Sequence, residues 1–142
     1  MTDPGQPAGE QQRGALLDRV VELLGAVGEV VTRDDVSVVV RVETTRASVR
    51  ILGLSDDLDV LTVTQLVALD LPNTDTLRDD VERHGAELSF GSLRRSDPDG
   101  VTTDVLLYYT FPVGGIGDVA LLTVLHVVLS TGADIAQRLV GG

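Results

Sequence analysis

The residues of this chain that could do chemistry are few, and the first are glycines ahead of its last apolar segment. The stretch Gly115-Ile116-Gly117-Asp118-Val119-Ala120 fits the pattern G-x-G-x-x-A, in which a strand-to-helix turn holds a dinucleotide pyrophosphate. A dinucleotide-binding unit also needs a further strand with an acidic residue about 20 positions on, whereas the residues that follow here predict a helix. We therefore interpret the glycines as a tight helix entry and predict no cofactor.

Carboxylates cluster at Asp56-Asp57-Leu58-Asp59 and at Asp79-Asp80 with Glu82. Neither cluster has the D-x-D-x-D-G spacing, with a glutamate at position 12, that a calcium loop requires. The two histidines, His84 and His126, have no metal-binding spacing, and the chain has no cysteine and no G-x-S-x-G motif. We predict a solvated turn and a solvated helix face, no metal site, no catalytic residue and no enzymatic activity.

The two histidines have different predicted roles. His84 lies near the predicted C-terminal end of a helix, where a cation interacts favourably with the helix dipole. His126 lies in an apolar stretch, so we predict a core or interface histidine in preference to a pH switch.

The charge balance excludes several partners. There are 22 acidic residues against 11 basic ones, all of them arginine, and the net charge is −11. Nucleic acids and anionic membranes are held by clustered cations, so we expect neither as a partner. A basic or amphipathic protein segment suits this charge, although solubility alone explains the same excess. The N-terminus has no secretion-signal pattern, so we expect a cytoplasmic protein, and the residue usage is typical of GC-rich, actinobacterial-type genomes.

Hydrophobic periodicity predicts an α+β domain with an antiparallel sheet and the order α-β-β-β-α-β-β-α. Residues 1–12 are rich in Pro, Gly and Gln and predict a disordered leader, followed by a single domain over 13–142. The predicted helices cover residues 13–27, 71–85 and 119–140, and the predicted strands cover 36–43, 47–54, 58–68, 86–95 and 101–111.

Two segments carry more apolar surface than one face can bury. Val119–Leu129 has only Thr123 and His126 as polar members, which leaves no face for water, and it is too short to span a bilayer. We expect it to be covered by the protein's own sheet, by a second copy, or by both. The strand at 101–111 is apolar on both faces, because Leu106 and Tyr108 lie opposite its main apolar set, so it is predicted to be central or covered by a partner.

The order of elements resembles the type III secretion chaperone fold, and within it the YbjN-like family. The matching features are the helix Leu71–Gly85, the strand entry Gly85-Ala86-Glu87-Leu88, the passage Tyr108–Gly115 and the long apolar terminal helix. The resemblance implies a homodimer with a non-enzymatic role. Secretion chaperones of this shape clamp an extended client segment along hydrophobic patches, and YbjN-like proteins are described as sensory-transduction or stress regulators.

These observations lead to two functional hypotheses. The first is a cytoplasmic homodimer that binds a peptide or protein client, in a chaperone-like or regulatory role. The second is a small-molecule sensor with a pocket between the sheet and the last helix, using Tyr108 or Tyr109 as a polar group. The candidate dimer or partner surface comprises Leu106, Tyr108, Leu121, Leu122, Leu125, His126 and Leu129.

Overall fold

A computed structural model describes residues 8–141, with side chains from 9 to 139. This part of the chain folds into three helices and six strands. The elements are, in chain order, α1 (Ala8–Leu24), β1 (Glu29–Arg33), β2 (Ser37–Val42), β3 (Thr45–Ser55), β4 (Leu58–Pro72), α2 (Asp75–Ala86), β5 (Ser92–Arg95), β6 (Thr102–Pro112) and α3 (Asp118–Gly141).

The six strands form one sheet in the order β1-β2-β3-β4-β6-β5. Every neighbouring pair is antiparallel, as expected for the pairs that are joined by short connections; β4 and β6 pair although α2 and β5 separate them in the chain. The longest pairings are β3 with β4 and β4 with β6. Strands β2, β3, β4 and β6 lie inside the sheet, and β1 and β5 form its edges. The predicted α+β class with an antiparallel sheet is confirmed.

All three helices pack on the same face of this sheet, which we call the inner face. Helix α3 lies against β2, β3 and β4 and contacts both other helices, while α1 lies beside it on β1 to β3 and α2 contacts β5. Alternate strand residues point towards these helices and are buried. The inner-face core includes Val38, Val40, Val49, Ile51, Leu61, Val63, Val105, Leu107 and Phe111.

The apolar helix α3 is covered mainly by its own sheet. Leu121, Leu125 and Leu129 are each 0% exposed and belong to the single core cluster. By length and composition α3 is also apolar enough to cross a membrane, with a mean hydropathy of 1.8 in its segment Asp118–Leu139. A core helix has the same composition, and the packing of α3 on the sheet is that of a core helix.

The structure has one strand more than the predicted order. In β1 the pairing with β2 shifts between Val30 and Thr32, so Val30 is half-buried while Val31 is 40% exposed. This bulge removes the period-two alternation from which a strand is predicted. An edge strand with one half-buried side chain therefore carries no clear sequence signal.

Three predicted boundaries also need correction. The leader assigned to residues 1–12 overlaps α1, which begins at Ala8, and residues 1–7 lie outside the described part of the chain. Strand β4 continues to Pro72, so α2 begins at Asp75, capped by the Thr74 side chain 3.1 Å from the Leu77 amide. The strand predicted to begin at residue 86 begins at Ser92, because Gly91 turns the chain with a φ of +87°.

Candidate binding surface

The opposite face of the sheet, the outer face, is not covered by any helix of residues 8–141. The strand periodicity that points Leu61, Val63 and Gln65 inwards points Thr62, Thr64 and Leu66 outwards. On β6 the outward residues include Asp104, Leu106, Tyr108 and Thr110, and Asp104 Oδ1 accepts from the Asp70 amide at 3.0 Å. These outward side chains of β4 and β6 are half-buried or exposed, so the outer face presents a mixture of hydroxyl groups, two leucines, a tyrosine and one carboxylate to solvent.

One cross-strand row on this face combines leucine with arginine. Direct strand partners are Arg41 with Arg46, Arg46 with Leu66, Leu66 with Leu106, and Leu106 with Arg94. We call these five residues the arginine–leucine row. The two leucines lie on the adjacent internal strands β4 and β6 between Arg46 on β3 and Arg94 on β5, and Arg41 on β2 lies beyond Arg46.

The arginines of this row differ in their ion pairs. Arg41 pairs with Glu29 on β1 at 3.0 Å between Nη1 and Oε2. Arg46 and Arg94 have no carboxylate within 4.0 Å among the side chains that the structure describes. The guanidinium of Arg94 instead lies over the ring of Tyr108, 5.2 Å from its centroid, which is cation–π geometry. Arg46 and Arg94, the two arginines directly beside the leucines, are therefore available to an anion.

A groove of about 540 Å³ opens where the outer face meets the C-terminal part of α3. Its lining is mainly apolar, and it includes Leu69, which is 59% exposed. Leu66 and Arg46 of the arginine–leucine row line the same groove, so the two features are continuous. The lining residues are Thr44, Arg46, Leu66, Val67, Ala68, Leu69, Ala136 and Gln137.

A buried polar contact joins the sheet to α3 beneath this surface. The Gln65 side chain is 0% exposed and its Nε2 donates to Thr45 Oγ1 at 2.9 Å and to the Leu129 carbonyl at 3.0 Å. A Cβ atom added at Gly132 would overlap the Gln65 amide. Glycine at this helix position is therefore explained by the side chain that crosses from the sheet. Gln65 Oε1 has no hydrogen-bond partner among the described residues.

The residues predicted for a partner surface divide into two groups. Leu106 and Tyr108 lie on the outer face as predicted and are half-buried. Leu121, Leu125 and Leu129 are wholly inside the core, so their assignment to a partner surface is wrong. The remaining two, Leu122 and His126, lie on the solvent side of α3 and are half-buried and exposed respectively.

The reason for this division is helical geometry. Because Val119–Leu129 is apolar almost all round, its sequence does not mark which side faces the sheet, and contacts four residues apart set the inward face. The core position predicted as one alternative for His126 is excluded by its exposure. His84 is in the last turn of α2, as predicted, but its side chain is only 7% exposed.

The other candidate sites occupy ordinary structural positions. Gly115, with a φ of +74°, lies in the connection between β6 and α3. Strand β6 is antiparallel to both neighbours, whereas a dinucleotide-binding unit has parallel strands. Asp59 pairs with Arg13 at 3.4 Å and Asp80 pairs with Arg83 at 2.9 Å. Within residues 8–141 no three acidic or histidine side chains converge in a way that would hold a metal ion.

The sequence pattern does not mark Arg46, Leu66 or Arg94 as site residues. Each comes from a different strand, and only the register of β3, β4, β6 and β5 brings them into one row. The available signal was an arginine at an outward position of a predicted strand, which in isolation indicates a solvated side chain.

Comparison with known proteins gives a fold and no sequence family. No family model matches the chain, and no curated protein matches it in sequence. Among solved structures it is similar to that of YbjN from E. coli, described as "a putative transcription regulator". The TM-score is 0.61, and the match covers 88% of this chain and 91% of YbjN at 11% sequence identity. The chain has a YbjN-like fold. At 11% identity the similarity shows the fold alone and assigns no function to any residue.

Proposed function

We propose that the protein is a non-enzymatic protein-binding module with a regulatory or chaperone-like role, which binds a segment of another protein on the outer face of its sheet. The observation that carries this proposal is the outer face itself. Within residues 8–141 the six strands are covered by helices on one side only, and the other side exposes Leu66, Leu106 and Tyr108 among hydroxyl groups. The regulatory description of YbjN, whose fold is similar, supports the same class of function.

The half-buried leucines of the outer face form a contiguous apolar patch, which favours a binding role for this face. Leu66 and Leu106 are direct partners on the adjacent strands β4 and β6, so their side chains form one apolar patch. The groove beside Leu69 extends this patch towards α3. Contiguous apolar surface with a polar rim is typical of protein interaction sites, whereas scattered exposed apolar residues are ordinary.

The second part of the proposal is that the protein acts as a homodimer through the solvent side of α3. Val119 is 81% exposed, Leu122 follows three residues later at a half-buried position, and His126 is exposed one turn further on. These residues lie along one side of the helix. A dimer formed there would leave the outer face of the sheet free for a client.

A second candidate function is a small-molecule sensor, and the groove of about 540 Å³ favours it. Its volume is within the range of ligand pockets and its lining is mainly apolar. It lies between the sheet and the last helix, where the sequence analysis expected a pocket. Tyr108 and Tyr109 are not among its lining residues, so the proposed polar group would be Arg46 or Thr44.

The dimer is tested by light scattering at micromolar concentration. Wild type is expected to have the mass of two chains, and Val119→Asp is expected to have the mass of one. An aspartate at this position lies in the first turn of α3, where the helix dipole favours it, so folding should be retained. Thr76→Asp is the matched control, because Thr76 is an exposed residue in the first turn of α2. A monomeric wild-type protein would contradict this part of the proposal.

Client binding is tested by capture from the native lysate followed by mass spectrometry. Leu106→Ser should remove the captured client while leaving the dimer and the thermal unfolding temperature nearly unchanged, because the side chain is on the outer face. Val101→Ser is the control, since Val101 is 91% exposed and precedes β6. If Leu106→Ser captures the same proteins as wild type, the outer face is not the binding surface.

A further inference from the structure

The net charge of the chain and the charge of the arginine–leucine row have opposite signs. The chain carries a net charge of −11, yet the arginine–leucine row places Arg46 and Arg94 directly beside two leucines and Arg41 beside Arg46. Of the 11 arginines, six pair with carboxylates within 4.0 Å. Arg46 and Arg94 do not, among the described side chains, and both lie on the uncovered face.

We propose that the outer face recognises an acidic amphipathic segment of a partner protein, whose apolar side chain covers Leu66 and Leu106 and whose carboxylates pair with Arg46 and Arg94. This inference rests on the proposed function and adds the chemistry of the client. It reverses the sign of the partner expected from net charge alone, because the binding free energy of a docked segment depends on the charges it contacts.

The geometry of the row fits an extended segment. Arg46 and Arg94 are on β3 and β5, three strand spacings apart across β4 and β6, which corresponds to about 14 Å between their backbones. An extended chain rises about 3.4 Å per residue, and residues two apart share a face. Carboxylates four residues apart, with an apolar residue midway, therefore match the order arginine, leucine, leucine, arginine.

A second copy of this chain is a poor occupant of the outer face. A two-fold contact places the same surface of both copies together, so arginine rows carrying the same charge would meet. Arg50, which is also exposed and has Thr62 as its direct partner on β4, would add to the repulsion. The dimer proposed through α3 does not use this surface.

A nucleic acid is also a poor occupant. Binding to a phosphate backbone requires several clustered cations, and here the centre of the row is two leucines with one aromatic ring, Tyr108, in the adjacent row. The net charge of −11 repels a long polyanion. A short segment with two carboxylates and an apolar side chain uses both the cations and the leucines.

The experiment measures fluorescence anisotropy of a labelled synthetic peptide with the repeat Glu-Ser-Leu-Ser. Two companion peptides carry Gln or Lys in place of Glu. Wild type is expected to bind the acidic peptide saturably and more tightly than either companion. Binding should weaken as salt is raised from about 0.05 M to about 0.5 M, because exposed ion pairs are screened.

Arginine variants locate the interaction. Arg46→Gln and Arg94→Gln should each weaken acidic-peptide binding about two- to fivefold, as expected for exposed ion pairs. Arg138→Gln is the matched control, because it makes the same change in net charge at an exposed residue of α3, and it should have less than about a twofold effect. Equal effects of Arg138→Gln and Arg46→Gln, or equal binding of the acidic and Gln peptides, would overturn the proposal.

The remaining outcomes are also decisive. A labelled single-stranded oligonucleotide that binds more tightly than the acidic peptide, and loses affinity in Arg46→Gln and Arg94→Gln, would overturn the proposal in favour of a nucleic acid. A change of oligomeric mass in the same variants would overturn it in favour of a second copy. If Leu106→Ser loses the native client but wild type binds the acidic, Gln and Lys peptides equally, the proposed function stands and this inference alone fails. If Leu106→Ser captures the wild-type set of proteins, both fail.

Discussion

The two faces of the sheet are built by the same strands and differ in almost every physical respect. Along β4 the inward side chains Leu61, Val63 and Gln65 are each 0% exposed, whereas the outward Thr62 and Thr64 are half-buried. The inner face is closed by three helices and the outer face by none of the described residues. A single period-two pattern therefore separates the part of each strand that maintains the fold from the part that is free to bind.

The largest difference in stability between a buried and an exposed substitution is expected in α3. Leu125→Asp places an unpaired carboxylate at a position that is 0% exposed, and a change of this kind costs upwards of about 4 kcal/mol. Because whole domains are stable by only about 5–15 kcal/mol, we expect loss of the circular dichroism signal of the folded state. Ala120→Asp is the control, because Ala120 is exposed in the first turn of the same helix and is not among the residues proposed for the dimer contact. Its free energy of unfolding should differ from that of wild type by about 0.5 kcal/mol or less.

Neighbouring tyrosines provide the next comparison, because they point to opposite faces. Tyr109 packs inside between Phe90 and Phe111, with ring centroids 5.4 Å and 5.1 Å away, whereas Tyr108 is outside with Arg94. Tyr109→Ala should lower the free energy of unfolding by about 2–4 kcal/mol through the cavity it leaves. Tyr108→Ala should lower it by less than about 1 kcal/mol. Urea unfolding curves measure both, and equal losses would contradict the assignment of the two faces.

The buried contact between Gln65 and α3 predicts a smaller and non-additive effect. Gly132→Ala should cost about 1–3 kcal/mol by overpacking, because the added Cβ overlaps the Gln65 amide. Combining it with Gln65→Ala removes the overlap, so the double variant should lose less than the sum of the single losses. Gly114→Ala is the control, since a Cβ there meets nothing within 4 Å. Additive losses in a double-mutant cycle would show that the two residues do not compete for space.

The smallest effect is expected at the exposed turn between β1 and β2. Asp34 Oδ1 accepts from the Val36 and Ser37 amides, each at 2.8 Å, and these hydrogen bonds to the charged form lower the pKa of Asp34 below 3.8. A lowered folded-state pKa contributes stability above the unfolded-state pKa, and this contribution is lost as the pH falls through the folded-state value.

Asp34→Ala should therefore lower the melting temperature slightly near neutral pH, and the difference from wild type should shrink as the pH falls below about 4. Thermal unfolding at a series of pH values measures this. Asp35→Ala is the control, because no hydrogen bond to its carboxylate is found among the described residues. If the difference in melting temperature does not depend on pH, the charged carboxylate of Asp34 is not what stabilises the turn.

The strands and helices with strong periodicity could be predicted from the sequence, and the outward position of Leu106 and Tyr108 was predicted with them. Alternation along residues 101–111 settles which side chains share a face, and the pairing with β4 agrees with it. The bulged β1 and the turn at Gly91 were not predicted, because their backbone geometry comes from tertiary pairing. The orientation of α3 was not predictable either, since its central segment is apolar on nearly every side.

The candidate site was harder to predict from the sequence than the fold. The arginine–leucine row is assembled from β2, β3, β4, β6 and β5, and β4 and β6 are separated in the chain by both α2 and β5. Register between strands that are distant in sequence depends on the whole packing arrangement. Arg46 and Arg94 are 48 positions apart in the chain, and nothing in their local sequence marks them as neighbours in one row.

The edges of the sheet restrict how a client can approach. Strand β5 has only four residues and includes Arg94 and Arg95, and β1 at the other edge is interrupted by its bulge. Short, charged or bulged edges are poor templates for backbone pairing with another chain. A client would therefore lie flat across the strands, recognised through side chains, and would not extend the sheet as a seventh strand.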